Sequence, residues 1–467
     1  MWQMTDNPGL AAHSLRPHCL RQLRKAQEHH PKFKNITGEI PMRWTFCLLL
    51  LIILTSCFVT EKTGTSFYKI DLKLDVNRQL LNANVDLTYY AKKERVDILT
   101  FYLHRNLSIE TLTCKNLVEY TFNTEDPCAF PFTPEAGTLT IHLSKPLQKG
   151  EALQINLQYV GKIGVVTQWE INRITKEWIE LGMYTPWFPY QPAIENFTYI
   201  VDVKIDPEYQ IIGMGKTKKL DDYWQVSQEN PTNDIIIMAA KEIHTKKNQR
   251  NGLSMDISYT ATSDSTAVDM MEQGLWILDN YGEWFSDIKA YKASIVIAPR
   301  NIGGGYARRG FVVFNHFEDE DYYQNKIGYF RYIAHEFAHI WWLNAPTNTW
   351  EDWLNESFAE YSALMAVREK FGNETFKDLI QAKRQKSKNM PAIKGIDRMD
   401  ENASTVLYDK GCILLHELEA EIGNDNFLQL LKRLIINKVK STEQFLKVLT
   451  DLSGIEVSNK FEKKLSR

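Results

Sequence analysis

The hydrophobic and polar positions of this chain change their period about half-way along it. From about Ser66 to Ala240 apolar and polar residues mostly alternate, as in FYKIDLKLDVN, ANVDLTYYAKK and GTLTIHLSK, with turn residues between the segments. Alternation with a period of two predicts strands that bury one face. Many short strands in succession predict a β-rich domain, built as a sandwich or as a curved saddle of sheets.

A different pattern follows the polar stretch His244 to Gly252, which we interpret as a linker. It begins with a long amphipathic helix and two strands, and from Asp321 onward the periodicity is helical. We therefore predict an α+β protein, in which a β-rich domain at 61–245 precedes a mixed α/β domain at 246–467.

The first 60 residues differ from both domains. Residues 1–43 contain seven Lys/Arg and three Asp/Glu, a net charge of +4, without apolar periodicity. Trp44 to Ser56 is a continuous apolar run, shorter than the ~20 residues that a membrane-spanning helix needs. The segment that starts at Met42 has the pattern of a secretory signal: a basic residue, then the apolar run, then small residues.

Two interpretations of this segment place the protein at a membrane. Leu54-Thr55-Ser56-Cys57 resembles a bacterial lipobox, in which Cys57 would become the lipidated first residue and Met42 would be the true start. The alternative is an uncleaved signal anchor with a basic cytoplasmic tail. Both interpretations predict export and tethering to the extracytoplasmic face of the cell membrane.

Export also changes how the cysteines are interpreted. In an oxidising compartment Cys114 and Cys128 could form a disulfide, whereas Cys412 fits a buried position in a helix. The overall composition is that of a folded protein, with 44% apolar and 24% charged residues among 467. The net charge of −3 gives no reason to expect a nucleic-acid partner.

The segment RYIAHEFAHIWW, which begins at Arg331, contains the first candidate chemistry. His335 and His339 are four residues apart, so on a helix both imidazoles lie on one face, one turn apart. Both could then approach one Zn²⁺ ion at about 2.0–2.1 Å. Glu336 could face water as a general base without binding the metal. The alternative is a buried helix whose two histidines bond to backbone carbonyls.

A third ligand would distinguish these alternatives, because a catalytic zinc site needs three protein ligands and an open position. Glu356 begins a second apolar helix after sixteen intervening residues, and the loop between could return the chain to the first helix. Glu360, one turn further on, could orient a ligand histidine, or it could be an ordinary solvated carboxylate. We expect one Zn²⁺ per chain, bound by His335, His339 and Glu356.

HEFAH followed by WLNESFAEY resembles the gluzincin signature of the aminopeptidase N family, in which an Asn-Glu pair corresponds to Asn355 and Glu356. VLYDKGCILLHELEAEIG, from Val406, is similar to the Tyr-x-Lys-Gly segment of that family. The resemblance implies that Tyr408 donates a hydrogen bond to the oxyanion of the tetrahedral intermediate. It also implies a β-rich saddle domain followed by a thermolysin-like catalytic domain, a zinc cofactor and a peptide substrate.

The sequence departs from this family where the free amine of the substrate is bound. In GGYARRGF the glycines match, but Ala307 stands where the family has a glutamate that pairs with the amine. Arg308 and Arg309 follow; they would repel a cationic amine, and they could grip a carboxylate or point to solvent. We place three residues of this loop in the substrate-binding site: Gly304, Gly305 and Arg308.

Two further departures are the connection of sixteen residues, where the family has roughly eighteen, and Gln191, where it has acids. Glu180 or the acidic run Glu318 to Asp321 could supply a substitute partner for the amine. The leading hypothesis is an exported, membrane-tethered zinc metallopeptidase, with Glu336 as general base and Tyr408 as oxyanion donor. The alternatives are a zinc hydrolase of endopeptidase or non-amine specificity, and a non-catalytic peptide-binding scaffold.

Overall fold

The computed structural model describes residues 64–125, 133–163, 171, 173–192, 196–286, 291–302 and 304–467. The basic arm, the apolar run and the lipobox lie outside these residues, as does Cys128, so the expected disulfide with Cys114 lies outside them too. Among the helices that are described, none is long and apolar enough to cross a membrane.

The first half of the described chain is made of strands in three sheets. A seven-stranded sheet has the order β12-β13-β10-β1-β2-β7-β4, and two smaller sheets have the orders β3-β6-β5 and β11-β14-β9-β8. Burial alternates along β1 and β2, as the period of two predicts, and these two strands pair antiparallel with Ile70 opposite Val85. The strands are β1 (Ser66–Asp75), β2 (Leu80–Tyr90), β3 (Arg95–His104), β4 (Leu107–Cys114), β5 (Leu117–Asn123), β6 (Ala136–Gln148), β7 (Ala152–Lys162), β8 (Arg173–Ile174), β9 (Ile179–Leu181), β10 (Phe197–Lys204), β11 (Gln210–Gly213), β12 (Lys216–Lys219), β13 (Trp224–Thr232) and β14 (Ile237–Ala240).

The second half begins with a mixed five-stranded sheet of order β15-β16-β17-β19-β18. Its strands are β15 (His244–Arg250), β16 (Leu253–Tyr259), β17 (Lys292–Ala298), β18 (Tyr306–Arg308) and β19 (Phe311–Asn315). The interpretation of His244 to Gly252 as a linker is therefore wrong, because most of it is the edge strand β15, paired antiparallel with β16. Both faces of β15 are largely exposed, which explains its polar composition: an edge strand with charged side chains resists pairing with another chain.

Helices cover one face of this sheet; the first lies between β16 and β17 in the sequence, and the others follow β19. They are α1 (Asp264–Trp284), α2 (Asp319–Gln324), α3 (Lys326–Ala338), α4 (Trp353–Phe371), α5 (Asn373–Lys386), α6 (Gly411–Ile422), α7 (Asn424–Ile436), α8 (Thr442–Ser453) and α9 (Ile455–Leu465). A 3₁₀ turn, Trp350–Asp352, leads into α4, and a π-helical turn, Thr405–Lys410, leads into α6. Cys412 is fully buried in α6, as expected.

The five-stranded sheet is shared between two hydrophobic cores. Ile295 on β17 and Val312 on β19 face the core formed with the helices. Val296 and Val313, the next residues along the same strands, face the core of the β-rich half. Because successive side chains of a strand point to opposite faces, one sheet can join both halves. Its last strand, β18, carries the loop that we expected to bind substrate.

Candidate metal and catalytic site

Helix α3 presents the two histidines on one face. The helix ends at Ala338, and His339 continues the turn as its C-cap, with φ −64° and ψ −8°. The two imidazole rings lie 5.0 Å apart, centroid to centroid, and both side chains are buried. The spacing of four residues therefore brings the rings together, as the sequence predicts.

Glu356, in the first turn of α4, completes a three-ligand cluster. Its Oε2 lies 3.3 Å from His335 Nε2 and 3.5 Å from His339 Nε2. Ligands at ~2.0–2.1 Å from a tetrahedral zinc ion are separated by ~3.4 Å, which matches both distances. Among the described residues, this buried oxygen has no hydrogen bond of normal geometry. The cluster is also the only set of three metal-ligating side chains found in the described part of the chain. These observations fit a bound metal ion.

The Nδ1 atoms of both histidines, which face away from Glu356, contact other groups. His335 Nδ1 lies 3.0 Å from Glu360 Oε2, and His339 Nδ1 lies 2.8 Å from the carbonyl oxygen of Trp342. These contacts leave both Nε2 atoms directed toward Glu356, which is how metal-binding histidines are usually oriented. Glu360 is completely buried, so the alternative of a solvated carboxylate is wrong.

The electrostatics of the cluster favour a cation at its centre. Burial alone would lower the pKa of His335, but its contacts with the Glu356 and Glu360 carboxylates outweigh burial and raise that pKa to about 9. Burial likewise opposes the charged form of His339, and Glu356 raises the pKa of that residue. The surrounding carboxylates thus stabilise positive charge on the imidazoles. A divalent cation bound between them would replace these protons.

The Asn355 side chain fixes the connection between α3 and α4 through hydrogen bonds. Its side-chain amide accepts a hydrogen bond from the Ala345 amide (3.1 Å) and donates one to the Ala345 carbonyl (3.0 Å). It also donates to Asp352 Oδ1 (2.9 Å), and the other oxygen of Asp352 accepts from Arg398 Nε at 2.8 Å. This network fixes the start of α4, and Glu356 with it.

The π-helical turn places Tyr408 beside the metal cluster. Its ring is stacked on that of His335, at 5.5 Å and 15°, and only 7% of the side chain is exposed. A cavity of about 360 Å³ opens beside the cluster. Six separate parts of the chain contribute to its wall, through Tyr184, Ala307, Glu336, Glu356, Arg398 and Tyr408.

Comparison with known proteins finds a family match in the second half of the chain. Residues 301–463 match the peptidase family M1 domain. That range contains both histidines, Glu336, Glu356 and Tyr408 in the order that the resemblance implies. Residues 301–463 form an M1 peptidase domain. The resemblance to the aminopeptidase N family is thereby confirmed.

The relatives of this M1 domain share short segments of sequence. A leucyl aminopeptidase of Saccharolobus solfataricus is 31% identical over 121 residues, which is 23% of this chain and 15% of that protein. Human endoplasmic reticulum aminopeptidase 2 is 30% identical over 138 residues, or 26% of this chain and 14% of that protein. The chain thus spans less than a sixth of the length of either of these two relatives.

Solved structures extend the comparison to the β-rich half. The M1 zinc metallopeptidase of Deinococcus radiodurans matches 86% of this chain and 93% of its own, with a TM-score of 0.66 and 15% identity. A mutant of it bound to a Tyr-Ser-Ala substrate matches with a TM-score of 0.65. These likenesses show a common fold, and they confirm the α+β architecture with a β-rich first half.

The loop that we expected to bind substrate places its two arginines in different surroundings. Arg309 is exposed, with a φ of 38°, and donates to the Pro231 carbonyl. Arg308 is 6% exposed: its Nε contacts Asp234 Oδ2 at 3.0 Å, and its Nη1 contacts the carbonyl of Ala307 at 2.7 Å. Arg308 borders the cavity, but most of its guanidinium is engaged within the protein. Gly304 and Gly305 precede these residues in the same loop, and Gly305 borders the cavity.

The residues proposed as substitute amine partners do not border the cavity. Glu180 is completely buried, and it accepts hydrogen bonds from Trp178, Arg300 and Tyr306. The acidic run Glu318 to Asp321 forms the start of α2, and its residues are not among those that border the cavity. Ala307, where the family has its amine-binding glutamate, is buried in β18.

Sequence reasoning missed Asp352, Arg398 and Lys383, all of which contact the site or its supports. Asp352 had a local signal, since it precedes Asn355 and Glu356 at the start of the ligand helix. Arg398 and Lys383 had none, because each meets its partners only through tertiary contacts, over 46 and 26 residues respectively.

Proposed function

We propose that this protein is a zinc metallopeptidase that hydrolyses peptide bonds. The single observation that supports this most is the convergence of two imidazole nitrogens and one carboxylate oxygen at tetrahedral spacing, beside Glu336 and Tyr408. His335, His339 and Glu356 would hold the zinc ion. A zinc ion there supplies Lewis acidity, which lowers the pKa of water and polarises a carbonyl group.

Glu336 and Tyr408 provide the proton chemistry. Burial raises the pKa of the Glu336 carboxyl, against the effect of the two histidines, so this carboxylate is a stronger base than an exposed one. It accepts the proton of the attacking water and can return it to the leaving amine. Burial raises the pKa of the Tyr408 phenol well above its usual value, so the phenol keeps its proton and donates a hydrogen bond to the developing oxyanion.

Substitution of Glu336 by Gln tests this mechanism, because the amide keeps the shape but cannot accept a proton. We expect Glu336→Gln to retain one zinc per chain and to lower kcat by at least about 10²–10⁴-fold. Glu318→Gln, at an exposed carboxylate outside the cavity, is the matched control and should hydrolyse peptides like the wild type. Near-normal turnover by Glu336→Gln, with zinc bound, would refute the mechanism.

We further propose that hydrolysis does not depend on a free substrate amine. Ala307 cannot form an ion pair, Arg308 places positive charge in the cavity wall, and Glu180 is held by Arg300 and Tyr306. A charged hydrogen bond is worth about 1.5–3 kcal/mol, or about 10- to 150-fold in binding, and this loop lacks such a partner. The kcat/KM for free peptides should therefore exceed that for N-acetylated peptides by less than about tenfold. A preference above about 100-fold for the free amine would contradict this specificity.

We also propose that the protein is exported and tethered to the membrane, on the support of the apolar run Trp44 to Ser56 and of the lipobox-like residues Leu54 to Cys57 at its end. If Cys57 is the lipidated first residue, mass spectrometry of the mature protein will show an N-terminus at Cys57 that carries acyl chains. An intact N-terminus at or before Met42 would instead support the signal anchor, and a soluble protein in the cytoplasm would refute both forms of the proposal.

A further inference from the structure

A buried chain of ion pairs runs behind the metal cluster. Lys383, near the end of α5, is only 4% exposed, and its ammonium group contacts Glu360 Oε1 at 2.7 Å and Asp409 Oδ1 at 2.5 Å. Both carboxylates are buried as well, with exposed fractions of 0% and 6%. Lys383 is not among the residues that border the cavity, so its effect on the site must pass through these partners.

Glu360 and Asp409 lead from Lys383 to two different parts of the proposed machinery. The second oxygen of Glu360 lies 3.0 Å from His335 Nδ1, behind the metal-facing nitrogen. Asp409 directly follows Tyr408 in the π-helical turn Thr405–Lys410. Lys383 therefore joins the support of a metal ligand on α3 to the turn that carries the oxyanion donor.

The π-helical turn needs support from outside its own backbone. A π-helix has weaker local geometry than an α-helix and often occurs at functional sites. Contacts with neighbouring helices hold this one. Ser357 Oγ on α4 donates to the Leu407 carbonyl at 2.6 Å, and two lysines on α5 hold Asp409: the buried Lys383, and the exposed Lys386 at 3.0 Å. Leu407 and Asp409 lie on either side of Tyr408 in the sequence, so these contacts together fix the position of its phenol.

Stability alone does not explain the ion pairs. Burying an ammonium group and two carboxylates carries a desolvation penalty of several kcal/mol per ion, and apolar residues of similar size often stabilise a protein equally well. We propose that Lys383 is a positioning residue, which acts through Asp409 to hold the Tyr408 phenol in place over His335. This inference rests on the proposed function, because it gives Lys383 a role in that reaction.

Replacing Lys383 by Met tests this role, since methionine fills a similar volume without the charge. We expect Lys383→Met to lower kcat by about 10- to 100-fold, the range typical of groups that support metal ligands, and to change KM less than about twofold. Zinc content should stay at one per chain. Lys383→Arg, which keeps the charge, should recover part of the lost kcat. Asp409→Asn should reproduce the kcat loss, and it serves as the second variant if Lys383→Met does not fold.

A double-mutant cycle separates positioning from general damage. If Lys383 acts through Tyr408, Lys383→Met should lower kcat less than about threefold when Tyr408 is already Phe. Arg368→Met is the matched control, because it breaks a partly buried ion pair with Glu419 in the same helical layer, away from the cavity. It should lower Tm and leave kcat unchanged.

The possible outcomes distinguish this inference from the proposed function. Absence of zinc-dependent hydrolysis in the wild type would remove the proposed function itself. If the wild type is active, three results would each overturn the role of Lys383: an unchanged kcat in Lys383→Met, an equal loss of kcat in both Tyr408 backgrounds, or a loss of zinc, which would locate the effect at His335.

Discussion

The ion pair between Arg308 and Asp234 allows a quantitative test of how the cleft is built. Arg308 is 6% exposed and Asp234 is 1% exposed, and the two side chains meet at 3.0 Å. Replacing Asp234 by Ala leaves the guanidinium charged inside the protein, because arginine is not deprotonated in proteins. The Met183 amide, which donates to the other Asp234 oxygen at 2.9 Å, also loses its acceptor.

The expected loss of stability follows from these contacts. Removing one partner of a buried ion pair costs about 3–5 kcal/mol, and an unpaired buried amide costs about 1–3 kcal/mol. Arg308 keeps its hydrogen bond to the Ala307 carbonyl and its position over the rings of Tyr184 and Tyr306, at 5.0 and 5.1 Å. These contacts offset part of the penalty, so we expect Asp234→Ala to lower the free energy of unfolding by about 3 kcal/mol.

Urea unfolding followed by tryptophan fluorescence measures this change. Asp234→Asn keeps an acceptor for the Met183 amide and should lose less stability than Asp234→Ala. Glu208→Ala removes an exposed ion pair with Lys241 and should leave the unfolding midpoint unchanged. If Asp234→Ala unfolded at the same urea concentration as Glu208→Ala, the ion pair would not be structural. Arg308 would then be available for the substrate carboxylate that the sequence suggests.

Two further predictions concern the metal cluster and the turn beside it. Because the pKa of His335 is raised to about 9, protons compete with zinc for this ligand up to that pH, and the raised pKa of His339 adds to the competition. Chelator competition should therefore show zinc affinity rising by at least about tenfold per pH unit from 7 to 9, and a plateau from pH 7 would contradict the raised pKa. Gly411→Ala would place a Cβ 1.8 Å from Ser357 Oγ, so we expect the free energy of unfolding to fall by about 1–3 kcal/mol. Adding Ser357→Gly should partly reverse this loss. Full stability of the Gly411→Ala variant would show that α4 and α6 can move apart.

The parts of the site that sequence could predict are those set by local geometry. Histidines four residues apart on a helix must share a face, so His335 and His339 needed only the helix to form. Glu356 needed the chain to return, and the sequence allowed this without requiring it. The two hydrogen bonds between the Asn355 side chain and the backbone of Ala345 hold the connection in the path that brings Glu356 back to α3.

The parts that sequence could not predict depend on tertiary contacts or on the position of a strand in its sheet. The polar composition of β15 resembles that of a linker, because an edge strand and a linker both expose their side chains to water. Arg308 and Arg309 are neighbours of the same type, yet one is buried against Asp234 and the other is exposed. Only the pairing of β18 with β19 decides which arginine faces inward.

The contacts that position the metal cluster and Tyr408 belong to a different part of the molecule from those that position the loop around Ala307. His335, Glu356 and Tyr408 are fixed by hydrogen bonds and ion pairs within the M1 domain. The loop around Ala307 is fixed from the β-rich half, through the pairs of Arg308 with Asp234 and of Arg300 with Glu180. Changes in the loop can therefore occur without moving a residue of the metal cluster. The chain can thus keep His335, His339 and Glu356 in place while Ala307 stands where the family has its amine-binding glutamate.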